Sequence, residues 1–390
     1  MKKIGIVTTT RAEYGLLSPV IRELRKRENQ YFRVELIVSG THLSKEYGMT
    51  KAEIEANGTR IDHQIEIPVN SETELDISNN QADALVKFTK LFLSERYDAV
   101  ILLGDRYEML AIAIAAGNAR TPIFHLCGGD TTEGALDEWI RHSITKISYL
   151  HFVTNEDSRK RVIQLGEDPA RVFNFGSTSI DNILTAADMS KQEALESVGM
   201  KDCNYALCTY HPVTMEGGNT AEKIESFLEA IGQFPELQFI VTKSNADQGG
   251  AQINEMLDRA EKTIDNLHVF TSLGVKRYLS LMRHAEFVLG NSSSGIIETP
   301  AFRIPAVNIG DRQRGRLQSA NIVNCPDDTA SIVSAIRTAM SEKHKVLCQS
   351  VINPYGDGHA AEHIAAKCLE TVLNGPIDLK KKFYHLEMPR

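Results

Sequence analysis

Between positions 125 and 142 the chain reads HLCGGDTTEGALDEWIRH. Asp130, Glu133, Asp137, Glu138, Arg141 and two histidines crowd together there, behind a strand-like apolar run. Side chains of these types move protons or hold a polar substrate. Asp137 and Arg141 are four apart and share one helix face, a spacing that also makes an ordinary surface ion pair. The two glycines before the acids mark a tight turn or a close backbone approach. A further acid, Asp105, ends the buried run ILLGD and is followed by Arg106. An acid at the carboxyl edge of a strand suits proton transfer or the orienting of a sugar hydroxyl, and equally the capping of the next helix.

The second cluster is GNSSSGIIETPA at 290–301. Free N–H groups at a helix start, with the hydroxyls of Ser292, Ser293 and Ser294, suit an anion such as diphosphate. Glu298, about one turn later, is placed to accept bonds from two ribose hydroxyls. The same residues also make a plain serine cap with an acid in the first turn. DRQRGR at 311–316 follows another strand-like run, so Arg312, Arg314 and Arg316 can face the same phosphate. Arg11, His42 and Asn245 each follow a strand-like run as well, and His211 closes one.

These positions need a scaffold. Apolar runs at 3–9, 32–40, 97–105, 121–129 and 149–155 alternate with helical periods such as 16–28 and 81–97. The pattern restarts after 171–181, with strands at 205–211, 237–243, 267–270, 286–290 and 304–310 and helices that include 220–234 and 274–285. Continuous Val/Ile/Leu runs are expected of strands buried on both faces of a parallel sheet. The fold class expected is α/β, with two doubly wound Rossmann-like domains facing across a cleft. The boundaries expected are 1–172 for the first domain, 173–371 for the second, and 372–390 for a C-terminal segment that packs on the first domain or hangs loose. In such sheets ligands gather beyond the carboxyl ends of the strands, where the candidate residues lie.

Composition narrows the function. A net charge of -8 without a basic face argues against nucleic acid as partner. No apolar run approaches the roughly 20 residues of a membrane span, and the start is a poor signal peptide. The 6 cysteines form no C-x-x-C pair, as expected of reduced thiols in a cytoplasmic protein. Neither a dinucleotide nor a P-loop fingerprint is present, GNSSSG is one residue too long for a nucleophile elbow, and no zinc spacing occurs. Dehydrogenases, kinases, esterases and metalloproteases lose ground, and no metal is expected.

RAEYG at 11–15, SGTHL at 39–43, GDR at 104–106, GG followed by DEWIRH at 128–142, HPVT at 211–214 and GNSSSGIIETPAF with NIGDRQRGR at 290–316 together resemble the hydrolysing UDP-N-acetylglucosamine 2-epimerases. The resemblance runs from residue 3 to about 370. It implies the B-type glycosyltransferase architecture, with the active site in the interdomain cleft. It also implies conversion of UDP-N-acetylglucosamine to N-acetylmannosamine and UDP, the first committed step towards sialic acid. The implied chemistry is anti elimination of UDP to a 2-acetamidoglucal, then syn addition of water, with no cofactor. UDP-sugar and UDP are the implied partners, and a homo-oligomer, dimer or tetramer, is the expected assembly.

Position by position, Asp105 and Asp137 match acids implicated in catalysis. Arg11, His211, Ser292, Ser293 and Arg312 match diphosphate-side contacts, with Ser294 beside them and His211 also counted in the catalytic set. Glu298 matches the ribose contact, and His42, Arg106, Arg141 and Asn245 match cleft positions. Many relatives place a glutamate where this chain has Cys127. Either Asp130 or Glu133 supplies that carboxylate, or the proton relay differs, or the substrate does. A close subfamily acts on UDP-N,N'-diacetylbacillosamine and shares most of these motifs, so the sugar stays open. A non-hydrolysing 2-epimerase, a B-type glycosyltransferase and an inactive nucleotide-sugar-binding regulator rank below these readings.

Overall fold

In the computed structural model, residues 1–45, 49–70, 73–131, 136–211, 220–244 and 250–386 are described. Glu133, Asn245 and the PVT of HPVT lie outside them. Among the described residues the strands form two sheets with parallel pairing throughout. The first holds β1 (Lys2–Thr8), β2 (Phe32–Ser39), β3 (His63–Ile65), β4 (Ala99–Leu103), β5 (Ile123–Leu126), β6 (Leu150–Val153) and β7 (Val172–Asn174), in the order β3-β2-β1-β4-β5-β6-β7. The second holds β8 (Tyr205–Thr209), β9 (Gln238–Thr242), β10 (Leu267–Phe270), β11 (Phe287–Gly290), β12 (Ala306–Ile309) and β13 (Ile322–Cys325), in the order β10-β9-β8-β11-β12-β13.

Each sheet is doubly wound and reverses its strand order once, between β1 and β4 in the first and between β8 and β11 in the second. Central strands such as β4 (AVILL) and β8 (YALCT) are buried at every residue, which explains their unbroken apolar runs. Helices close both faces. Helix Arg11–Arg25 begins where Thr10 and Glu13 make a reciprocal capping box, five residues earlier than its apolar period suggests.

The chain divides into two compact units, Met1–Asn182 with Gly358–Arg390, and Ile183–Asp357. The second unit is thus shorter at both ends than the expected 173–371. Helix Ala360–Leu373 puts Ala360, Ala361, Ile364, Ala365, Cys368 and Val372 into the core beneath β1, β2 and helix Arg11–Arg25. Burying each large member of that stripe is worth roughly 1.5–3 kcal/mol. An amphipathic period shows that a helix covers a core, but not which one. Asp181 Oδ1 caps the start of this helix through the Ala361 amide at 2.8 Å. The segment beyond it also packs on the first unit, where the Tyr384 amide donates to the Gly166 carbonyl at 2.9 Å.

Candidate active site

In the first unit the site forms at the carboxyl edges of β4 and β5, beside the reversal of strand order. Asp105 does not cap the following helix; Arg106 stands at that N-cap, and its side chain makes no capping bond. Asp105 Oδ2 instead accepts from Arg141 Nε at 2.8 Å and from Arg141 Nη2. Arg141 is buried, and its Nη1 donates to the Asp130 carbonyl at 2.8 Å and to Glu138 Oε2 at 3.4 Å. The expected surface pair of Asp137 with Arg141 is therefore replaced by an inward arginine that joins three acids' positions. Asp137 stands exposed at the start of helix Leu136–Ile147. Partial desolvation, then the Asp105 charge, lifts its carboxyl above the ordinary range, with Arg141 and Arg106 opposing.

Asp130 is bonded to its surroundings through one carboxylate oxygen. Its Oδ1 accepts from Ser158 Oγ, from Thr154 Oγ1 at 3.4 Å and from Asn155 Nδ2 at 3.5 Å. These bonds tie it to the loop after β6 and to the first turn of the helix Glu156–Gln164 that follows. Gly129, next to it, approaches so closely that a Cβ would stand 2.3 Å from the Ser158 carbonyl oxygen. Cys127 takes a left-handed backbone, φ 62°, and its amide donates to the Phe152 carbonyl at 2.9 Å. Burial, with Asp130 and Asp105 adding, pushes its thiol up to about 12, so it stays protonated at neutral pH.

His42 is fully buried with both ring nitrogens engaged, Nε2 with Thr8 Oγ1 at 3.0 Å and Nδ1 with Thr50 Oγ1 at 2.8 Å. Burial lowers it to about 4, so it braces the β1 and β2 edges as a neutral ring. Arg11 is exposed and pairs with Glu53 at 3.0 Å. Arg106 Nε donates to Glu108 Oε1 at 2.8 Å.

Sequence reasoning missed Glu13, whose Oε2 accepts from the Thr9 amide at 2.6 Å and the Thr9 hydroxyl at 2.9 Å. Burial raises it to about 7. It also missed His125, which is buried, bonded to the Gly104 carbonyl at 2.8 Å, and lowered by burial to about 3. The RAEYG motif contained the first signal and the HLC motif the second. The one set of described residues with metal-ligand character, Glu35, His63 and Glu95, already holds the Lys3 ammonium, 2.7 Å from Glu95 and 3.5 Å from Glu35.

In the second unit the site lies at the ends of β8 and β11. Asn291 Oδ1 accepts from the His211 amide at 2.7 Å and its Nδ2 donates to the His211 carbonyl at 2.8 Å. This two-bond bridge fixes the ends of both strands. His211 Nδ1 lies 3.3 Å from Ser244 Oγ. The Asn291 carbonyl accepts from Arg312 Nη1 at 3.1 Å and from Gln313 Nε2 at 2.9 Å, so the DRQ turn is held against the serine turn. Arg314 and Arg316 are exposed. Asn291 and the buried Gln313 were not foreseen.

Ser292 is the N-cap of the short helix Ser293–Ile297, its hydroxyl accepting from the Ser294 amide at 3.3 Å. Glu298 falls at the junction with helix Thr299–Phe302 and accepts from Ser294 Oγ. Desolvation lifts its carboxyl to about 7, with Ser294 opposing, and its charge in turn helps to raise Tyr278. The second unit thus gathers two arginine- and serine-lined turns and one protonatable acid.

Among solved structures, this fold is shared with the UDP-GlcNAc 2-epimerase of Neisseria meningitidis bound to UDP-GlcNAc. The TM-score is 0.78 at 18% identity, over 95% of this chain and 100% of that one. The UDP-N-acetylglucosamine 2-epimerase family matches residues 22–369, and the chain belongs to that family. It is 40% identical over 325 residues to the GDP/UDP-N,N'-diacetylbacillosamine 2-epimerase (hydrolyzing) of Campylobacter jejuni, covering 83% of this chain and 84% of that protein. It is 37% identical over 359 residues to the polysialic acid biosynthesis protein P7 of Escherichia coli, covering 91% and 90%. Among the described residues no helix is long and apolar enough to cross a membrane.

Proposed function

We propose that the protein is a hydrolysing UDP-sugar 2-epimerase, converting UDP-N-acetylglucosamine to N-acetylmannosamine and UDP. The observation that carries this is the pairing of buried Arg141 with Asp105, beside an Asp137 carboxyl raised above its ordinary range. Two carboxyls in unlike settings at the same edge, one clamped by a guanidinium and one raised above its ordinary range, suit proton removal and return. A carboxylate takes the C2 proton as the C1–O bond breaks and UDP departs with the bonding electrons, leaving a 2-acetamidoglucal. Water then adds across C1=C2, its hydroxyl to C1 and a proton to C2 on the opposite configuration.

Within this reading the second unit holds UDP. Ser292, Ser293, Ser294, His211 and Arg312 serve the diphosphate there, and Glu298 serves the ribose; Arg11, in the first unit, keeps the diphosphate role that the family resemblance implies. His42 and Asp130 support the site from behind. Arg106 completes the first unit's polar edge, Glu133 stays an alternative to Asp130 for the carboxylate that relatives have at the Cys127 position, and Asn245 keeps the cleft place that the resemblance implies.

A second reading, UDP-N,N'-diacetylbacillosamine as substrate, is favoured by the name of the Campylobacter relative and by Cys127 at the relatives' glutamate position. Proton NMR in D₂O with each nucleotide sugar tests both. Free UDP with a 2-epimerised sugar deuterated at C2 supports hydrolytic epimerisation, and the substrate that reacts names the sugar. An epimerised sugar still joined to UDP, or two unchanged substrates, overturns the proposal.

A further inference from the structure

Glu167 is nearly fully buried, yet it is met by two ammonium groups and an imidazole from three different elements. Lys146 Nζ, in the last turn of helix Leu136–Ile147, reaches Oε1 at 2.6 Å. His151 Nε2, on β6, lies 3.1 Å from Oε2. Lys381 Nζ, from the segment beyond the last helix, lies 2.5 Å from the same oxygen.

Lys381 does more than neutralise a charge. Its ammonium also donates to the Lys146 carbonyl at 3.0 Å and the Ser148 carbonyl at 2.6 Å, at the carboxyl end of that helix. The last carbonyls of a helix lack intrahelical partners and carry partial negative charge, so a cation there both satisfies and anchors them. Two neighbours hold the segment in place. The Phe383 ring lies where a Cβ on Gly166 would come within 2.5 Å of it, and Lys146 Nζ sits 5.1 Å above that ring. The Tyr384 amide bonds the Gly166 carbonyl.

The helix so anchored is the one whose opposite end carries Asp137 and whose middle carries Arg141. We propose that Lys381 is a positioning residue: by capping helix Leu136–Ile147 and pairing with Glu167, it sets Asp137 and Arg141 against Asp105. This rests on the proposed function only in assigning catalytic duty to that helix. Removing Lys381 leaves Glu167 still paired with Lys146 and His151, so the buried carboxylate is not stranded and the unit keeps its fold.

The test compares Lys381→Ala and Lys381→Arg with the parent, by steady-state kinetics, UDP binding and fluorescence of Trp139. That residue is the sole tryptophan of the chain and lies on this helix. A displacement of catalytic groups by about 1 Å costs on the order of a hundredfold in rate. The expected result is a kcat at least about tenfold lower for Lys381→Ala, given such sensitivity to placement, with KM and UDP affinity unchanged. Lys381→Arg should recover most of it, and Trp139 should be quenched more readily by acrylamide in the alanine variant alone. An alanine variant with parental kcat and parental quenching overturns the proposal. So does a loss that arginine does not recover, or one matched by an equal loss of UDP affinity. If the parent itself turns over no UDP-sugar, the functional reading fails, while the Trp139 comparison still decides whether Lys381 holds the helix.

Discussion

Arg141 grips Asp105 through two nitrogens on one carboxylate oxygen, Oδ2, and uses its remaining nitrogen on the Asp130 carbonyl. A planar guanidinium fits this arrangement and an ammonium does not. Asp105→Asn should therefore abolish turnover while leaving UDP affinity within about twofold. Arg141→Lys should lower kcat by roughly a hundredfold, the scale of a small misplacement of catalytic groups. Parental turnover in either variant would remove this pair from the mechanism.

Asp137 supplies a prediction with a sign. Partial desolvation and the Asp105 charge raise its carboxyl, and Arg141 pulls it down. In Arg141→Gln the opposing cation is gone, so the limb of the pH–rate profile that reports Asp137 should move to higher pH. A profile that stays in place, measured as kcat/KM between pH 4 and 9, would show that another group sets that limb.

Glu298 sits at about 7 before any ligand arrives. Accepting two ribose hydroxyls requires the carboxylate, so uridine binding should weaken as pH falls below 7. Uridine is the better probe because it has no phosphate to titrate in that range. Glu298→Gln should bind weakly with no such pH dependence, and Glu298→Ala should weaken UDP mainly. Calorimetric titration at pH 6 and 8 decides this, and equal parental affinities at both would sink the ribose assignment.

Two buried groups of the first unit should tilt stability in opposite directions. His42 is held at about 4, below the 6.5 of an unfolded histidine. Its neutrality therefore costs stability as pH falls from 6.5 towards 4, by roughly 1.4 kcal/mol per pH unit. Glu13 is held at about 7, above its ordinary 4.5, so its contribution is present below 4.5 and is lost as pH rises to 7. His42→Gln should thus gain on the parent as pH is lowered, and Glu13→Gln should gain as it is raised. Urea unfolding followed through Trp139 at pH 5, 6 and 7 reads both slopes, and parallel curves for all three proteins would contradict the burial argument.

Much of this could be read along the chain. Strands buried on both faces, such as β4 and β8, announce themselves as unbroken apolar runs, and Asp105 follows directly from where β4 ends. The strands β3, β7 and β13 escaped because they are short, partly exposed edges without such a run. The side-chain partners escaped for another reason. Nothing in the spacing of Asp137 and Arg141 says that the arginine turns inward to an acid thirty-six positions earlier. Likewise the serines were legible as a turn, whereas Asn291 bridging to His211 depends on β8 and β11 lying side by side.

The return of helix Ala360–Leu373 to the first core bears on how the chain is made. When the first 182 residues have left the ribosome, the apolar face formed by Leu17, Val20 and Leu24 still lacks its cover, whereas Ile183–Asp357 is contiguous. The later-synthesised unit can reach its native core first, and the earlier one must wait until helix Ala360–Leu373 has been made. A chain released after residue 357 would present a finished second unit and a first unit open to chaperones and proteases.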